Sequence, residues 1–149
     1  MDIVLGFDFG EVRIGVALGN GITQSAKALT IVDARTNKTK WGQIQKLIEE
    51  WQPGALIVGV PRHSDGHHEK VTFKALRFAR QLEGRFALPV NVVDERYSSV
   101  AVDADEDDGP IDDLAAAVIL QQWFNEGQPV RPPQEESLDA VAQNENTEK

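Results

Sequence analysis

Apolar positions along this chain follow two rhythms. Short, nearly unbroken runs occupy residues 3–9, 13–19, 55–60 and 90–93, and a more mixed run covers 23–32. Runs of this length bounded by Gly, Asn or Pro read as strands, the unbroken ones as strands buried on both faces. The joints between the first three are short, Gly10-Glu11-Val12 and Asn20-Gly21, so consecutive antiparallel hairpins are expected. Elsewhere the spacing is helical. Trp41, Ile44, Leu47, Ile48 and Trp51 share one face of a helix over 40–51, which Gln52-Pro53-Gly54 ends. Val71, Ala75, Phe78, Ala79 and Leu82 share the inward face of a second helix over about 67–83. A third, Ala-rich helix runs from Leu114 to Phe124, with Asp112 or Asp113 placed to act as its N-cap. Beyond Asn125, three prolines and many Gln, Glu and Asn predict a disordered acidic tail over 127–149, after one domain over 1–126.

Three hairpin strands followed by helix, strand, helix, strand and helix describe an α/β domain. Its sheet is mixed and five-stranded, with three antiparallel strands and two added in parallel through crossover helices on both faces. A chain of 149 residues suits one domain with a real core. There is no cysteine, which excludes disulfides and thiolate metal sites. No apolar run approaches the roughly 20 residues that span a bilayer, and the first residues read as a strand rather than a signal peptide. A soluble, cytoplasmic protein with no membrane partner is the expectation.

The formal charge of −9 argues against a nucleic-acid partner if taken whole. Its distribution changes that picture. Residues 103–113 hold seven acids and no base, and residues 127–149 hold five acids and two bases. Without these two segments, 12 acids face 13 bases, so the body of the domain is nearly neutral and has room for a basic face.

Candidate chemistry begins at Asp8, which closes the first strand ahead of Gly10. A carboxylate at the end of a buried strand loses water, and needs a hydrogen-bond network, a cation or a phosphate in exchange. A turn cap on the Gly10-Glu11 amides is the ordinary alternative. Asp94-Glu95 ends the fifth strand, where alternation sends the two acids to opposite faces, so that only one can share a side with Asp8. Asp112-Asp113 precedes the third helix, where capping alone accounts for an acid. If the three sites converge, their oxygens can hold one or two Mg²⁺ or Mn²⁺ ions, as in a metal-dependent phosphodiesterase. Lys70, Lys74 and Arg77 follow i, i+4, i+7 spacing on the second helix and, with Arg62, are candidates for phosphate contact or for a merely solvated face. His63, His67 and His68 fit no common zinc spacing.

Four motifs occur in one order: Phe7-Asp8-Phe9-Gly10 with Arg13-Ile14-Gly15-Val16-Ala17, then Val58-Gly59-Val60-Pro61 with Asp65-Gly66, then Asp94-Glu95-Arg96-Tyr97-Ser98-Ser99, then Ile111-Asp112 before Ala115-Ala116-Ala117-Val118. Over about residues 2–126 this order resembles the bacterial YqgF family, described as Holliday-junction-resolvase-like and as the pre-16S ribosomal RNA nuclease. The resemblance implies a ribonuclease-H-like fold and a divalent-metal nuclease. It implies a nucleic-acid partner, precursor rRNA in a ribosomal subunit precursor or branched DNA. By position it implies an acidic triad of Asp8, Glu95 and Asp112, with Arg13 and Arg96 orienting carboxylates or contacting phosphate. This chain departs from the family pattern in the acidic run Asp103-Ala104-Asp105-Glu106-Asp107-Asp108 and in His63, where the family usually has asparagine. A non-catalytic nucleic-acid- or protein-binding module on the same fold is the alternative. An actin-like ATP site ranks below both, because it needs two such domains.

Overall fold

The computed structural model describes residues 2–61, 69–95 and 111–133, and at Pro61, Glu69, Lys70, Glu95 and residues 111–113 the backbone alone. Three strands open the fold: β1 (Ile3–Asp8), β2 (Arg13–Asn20) and β3 (Ser25–Asp33). Helix α1 (Asn37–Trp51), β4 (Ala55–Pro61), α2 (Glu69–Phe86), β5 (Val90–Glu95) and α3 (Ile111–Asn125) follow. The strands form one sheet in the order β3-β2-β1-β4-β5. The β1–β2 and β2–β3 pairs are antiparallel, and β4 and β5 add in parallel beside β1. The mixed five-stranded sheet expected from the sequence is therefore the one observed.

Strand alternation divides the core in two. Leu5, Phe7, Val58 and Val92 pack on one face with Trp41 and Ile44 of α1 and Phe78 and Leu82 of α2. Val4, Ile57 and Val93 pack on the other face with Ala116, Ile119, Leu120 and Phe124 of α3. β1, β4 and β5 are buried from both sides, which is why their sequences read as continuous apolar runs. Phe78 anchors the first layer: its ring meets Phe7 edge-on at 5.8 Å and stacks on Trp41 at 5.6 Å.

α3 packs directly over two glycines of the sheet, Gly6 and Gly19. A Cβ on Gly19 would fall 2.7 Å from Leu120 Cδ2 and 3.0 Å from the Phe124 ring. One on Gly6 would fall 3.1 Å from Leu120 Cβ and 3.5 Å from the Ala116 carbonyl oxygen.

Helix ends depart from expectation at two places. α1 starts at Asn37 rather than 40, capped by Thr36, whose hydroxyl accepts from Thr39 N at 3.1 Å, and at its other end Gln52 takes the left-handed position with φ 47°. α3 begins at Ile111, so Asp112 and Asp113 stand inside its first turn rather than at the N-cap. Acids are favoured in the first turn of a helix as well as at its N-cap, so the sequence signal fits both positions.

Residues 129–131, inside the stretch whose composition predicts disorder, are hydrogen-bonded to the domain. Trp123 Nε1 donates to the Pro129 carbonyl at 2.9 Å, Arg131 N donates to Asn91 Oδ1 at 2.8 Å, and Val92 N donates to the Arg131 carbonyl at 2.9 Å. Residues 129–131 thus cover part of the open edge of β5. Residues 134–149 lie outside the described set.

Candidate active site

Asp8 ends β1 on the α3 face of the sheet. Its parity is that of Val4 and Gly6, which meet α3, and opposite to that of Leu5 and Phe7. Its register partners are Gly15 on β2 and Gly59 on β4. Both register partners are glycine, so no Cβ stands directly opposite this half-buried carboxylate in either ladder. The turn that follows is tight: a Cβ on Gly10 would sit 2.3 Å from the Arg13 carbonyl oxygen, a distance no substituted residue accepts without moving the backbone.

The parallel register carries the row across to β5. Asp8 pairs with Gly59 and Gly59 with Val93, while Pro61 pairs with Glu95. Val93 belongs to the α3-side core and Val92 to the other. Asp94 shares the parity of Val92, on the sheet face opposite Asp8, and its carbonyl accepts from Gln122 Nε2 at 3.3 Å. Position 95 shares the parity of Val93 and lies two residues beyond it at the same end of the sheet.

α3 runs antiparallel to β1 and descends the sheet in step with it. Phe124 and Leu120 sit over Gly19, which pairs with Val4; Leu120 and Ala116 sit over Gly6. Two strand residues advance about 6.6 Å, and four helical residues about 6 Å. One more step brings the Asp8 row level with positions 112 and 113. Three chain segments thus reach one end of the sheet: the close of β1, the close of β5 and the first turn of α3.

The basic candidates separate into groups. Lys74 donates to Glu11 Oε2 at 2.8 Å, tying α2 to the turn that follows Asp8. Both groups are about half exposed, so the pair contributes at most about 1 kcal/mol; its value is positional. No local pattern points to it, because the partners are 63 residues apart. Arg77, one turn further, is exposed, and its charge acts on Lys40 of α1. Arg13 opens β2 on the same strand face as Gly15, exposed. Lys70 stands in the first turn of α2, by its backbone. Arg62, Arg96, the three histidines and the 103–108 acids lie outside the described residues.

A family model described as RuvX, Holliday junction resolvase, matches residues 2–126. The chain belongs to the RuvX (YqgF) family. Family relatives named "Putative pre-16S rRNA nuclease" include one from Ralstonia nicotianae, 49% identical over 83% of this chain and 86% of its own. Another, from Paraburkholderia xenovorans, is 48% identical over 82% of this chain and 87% of its own. Among solved structures, Thermus thermophilus RuvC in complex with a Holliday junction substrate superposes with a TM-score of 0.54 at 15% identity, covering 89% of this chain and 99% of that one. Thermus thermophilus RuvC alone gives 0.52 at 17%. RuvX family membership and the RuvC likeness agree on a ribonuclease-H-like fold, as the sequence motifs implied.

Proposed function

We propose that this chain is a divalent-metal-dependent nuclease that processes the 5′ end of precursor 16S rRNA, with Asp8, Glu95 and Asp112 as its acidic triad. The observation that carries the reading is the shared level of three acid-bearing positions at one end of the sheet, beside a carboxylate flanked by two glycines. The names of the relatives support the substrate.

The donor set fits a hard cation. All three groups are carboxylates, and among them no nitrogen or sulfur ligand competes. The parity of position 95, shared with Val93 and Asp8, supports Glu95 over Asp94 as the third acid. Asp8, Glu95 and Asp112 would hold one or two Mg²⁺ or Mn²⁺ ions, which when bound lower the pKa of a water and offset charge on the phosphoryl oxygens. The chain's own contribution is placement. β1 fixes Asp8 through ladder bonds on both sides, and the glycine row leaves width for a phosphodiester. Arg13, at the mouth of β2, would orient a carboxylate or meet a phosphate oxygen, and Arg62, Lys70 and Arg96 are carried into the same role by their sequence positions alone. Attack by water on phosphorus and departure of the leaving oxygen need no protein nucleophile.

The test is cleavage of a precursor 16S 5′ fragment by purified protein with Mn²⁺. Asp8→Asn keeps shape but halves the oxygen donors, and activity is expected to fall on the order of 100-fold or more, with EDTA abolishing cleavage by the parent. Full activity in Asp8→Asn would end the proposal. RNA binding without cleavage in the parent protein would favour a non-catalytic binding module.

A further inference from the structure

We propose that the α1–α2 face, at Lys40, Arg77 and Arg85 around Trp41, is a second phosphodiester-binding surface, gripping the nucleic acid away from the reacting phosphate. It rests on the nucleic-acid reading above, and names which part of the molecule holds the substrate. Two cations share one indole: Lys40 Nζ stands 5.1 Å from the Trp41 ring centroid and Arg85 Cζ 4.2 Å from it. Lys40 Nζ is also 5.9 Å from the Phe78 ring, next in sequence to Arg77. Trp41 is only 8% exposed, so its ring acts as a fixed platform that holds the cationic heads in place.

Among the described residues none of the three cations forms an ion pair. Their helical neighbours three and four positions away are Thr36, Asn37, Gln43 and Ile44, then Phe73, Lys74, Arg80 and Gln81, then Leu82, Leu88 and Pro89. None is acidic. Burial, then the charges of Arg85 and Arg77, push the Lys40 ammonium below its ordinary pKa. In a chain of net charge −9, three cations gathered at mutual cost call for an anion from outside.

The shape of the cluster suits a polymer. Lys74, Arg77 and Arg85 lie along one stripe of α2, since steps of three and eleven residues return to nearly the same side of a helix. The stripe runs roughly 16 Å from the Glu11 turn to Arg85, the length of about five nucleotides of one strand. It begins beside Asp8's end of the sheet, where Lys74 is tied to Glu11, and ends on the face opposite α3. A strand that leaves the candidate active site around the sheet's end arrives on these cations.

The experiment uses the full chain carrying Asp8→Asn, so that binding is read without cleavage. Fluorescence anisotropy measures two probes, a precursor 16S 5′ hairpin RNA and a four-way DNA junction, across a salt series. Lys40→Gln, Arg77→Gln and Arg85→Gln combined are expected to weaken binding on the order of 10- to 100-fold at low salt, and to flatten the slope of log K against log salt by about 2–3. Lys40→Arg should bind as the parent does, which separates charge from folding. The probe that loses more affinity identifies the preferred polymer. An unchanged affinity and slope in the triple variant would overturn this surface, whatever the cleavage assay gives. Conversely, loss of binding in the triple variant beside a parent that never cleaves RNA would keep the surface and discard the nuclease. Equal competition by polyglutamate and by RNA of matched charge would also overturn it.

Discussion

At the scale of single residues, the space around a glycine separates structural positions from idle ones. Gly10 and Gly42 are both exposed to some degree, yet a methyl group meets the Arg13 carbonyl oxygen at 2.3 Å in the first case and nothing within 4 Å in the second. Gly10→Ala is expected to cost about 1–3 kcal/mol as the β1–β2 turn shifts. Gly42→Ala, in the interior of α1, is expected to gain about 0.5–1 kcal/mol by removing backbone freedom from the unfolded chain. Urea unfolding of both variants checks the pair, and equal midpoints would refute the tight turn. Because Asp8 sits two residues before Gly10, the first variant should also lose cleavage beyond its stability loss. The sequence offered Asp8 and Gly10 as a motif. It did not say why glycine is needed there, since the contact is with a carbonyl across the turn.

Among elements, what was legible depends on how local its cause is. The strand runs, the helical faces of α1 and α2 and the hairpins were readable, because period and turn chemistry act over a few residues. The choice between Asp94 and Glu95 was only half readable: alternation put the two positions on opposite faces, and the packing of Val93 against α3 gives position 95 the parity of Asp8. The start of α3 was misplaced by an acid that serves a first turn as well as a cap. The segment over 129–131 was missed altogether, since Pro and Gln content says nothing of Asn91, the one buried polar residue among those described. Asn91→Ala removes the acceptor for Arg131 N and should cost about 1–3 kcal/mol. Hydrogen exchange should then rise across Arg131 and Val92 with little change in β1. Protection that stays as in the parent would mean that Trp123 and the Val92 ladder bond hold the segment without Asn91.

For the whole molecule, charge is the property that sequence and fold must explain together. The body of the domain is near neutral, and its acids are concentrated in two segments. One of them, residues 103–113, runs in sequence into the first turn of α3, and that turn and the end of β5 both stand at Asp8's end of the sheet. Its five acids between Asp103 and Asp108 fall in sequence between two of the three segments that the proposed site uses. Like charge raises the barrier to encounter, and the effect is screened with a Debye length near 8 Å at physiological salt. Replacing Asp103, Asp105, Glu106, Asp107 and Asp108 by their amides should speed association with RNA several-fold at about 50 mM salt, and by little at about 500 mM. Stopped-flow association rates across that salt range check this directly. A rate unchanged at low salt would place the segment's charge away from the path of the substrate. A rate that falls would mean that these acids help to hold a cation or a basic partner, and the sign of the change is what distinguishes a repulsive gate from a ligand.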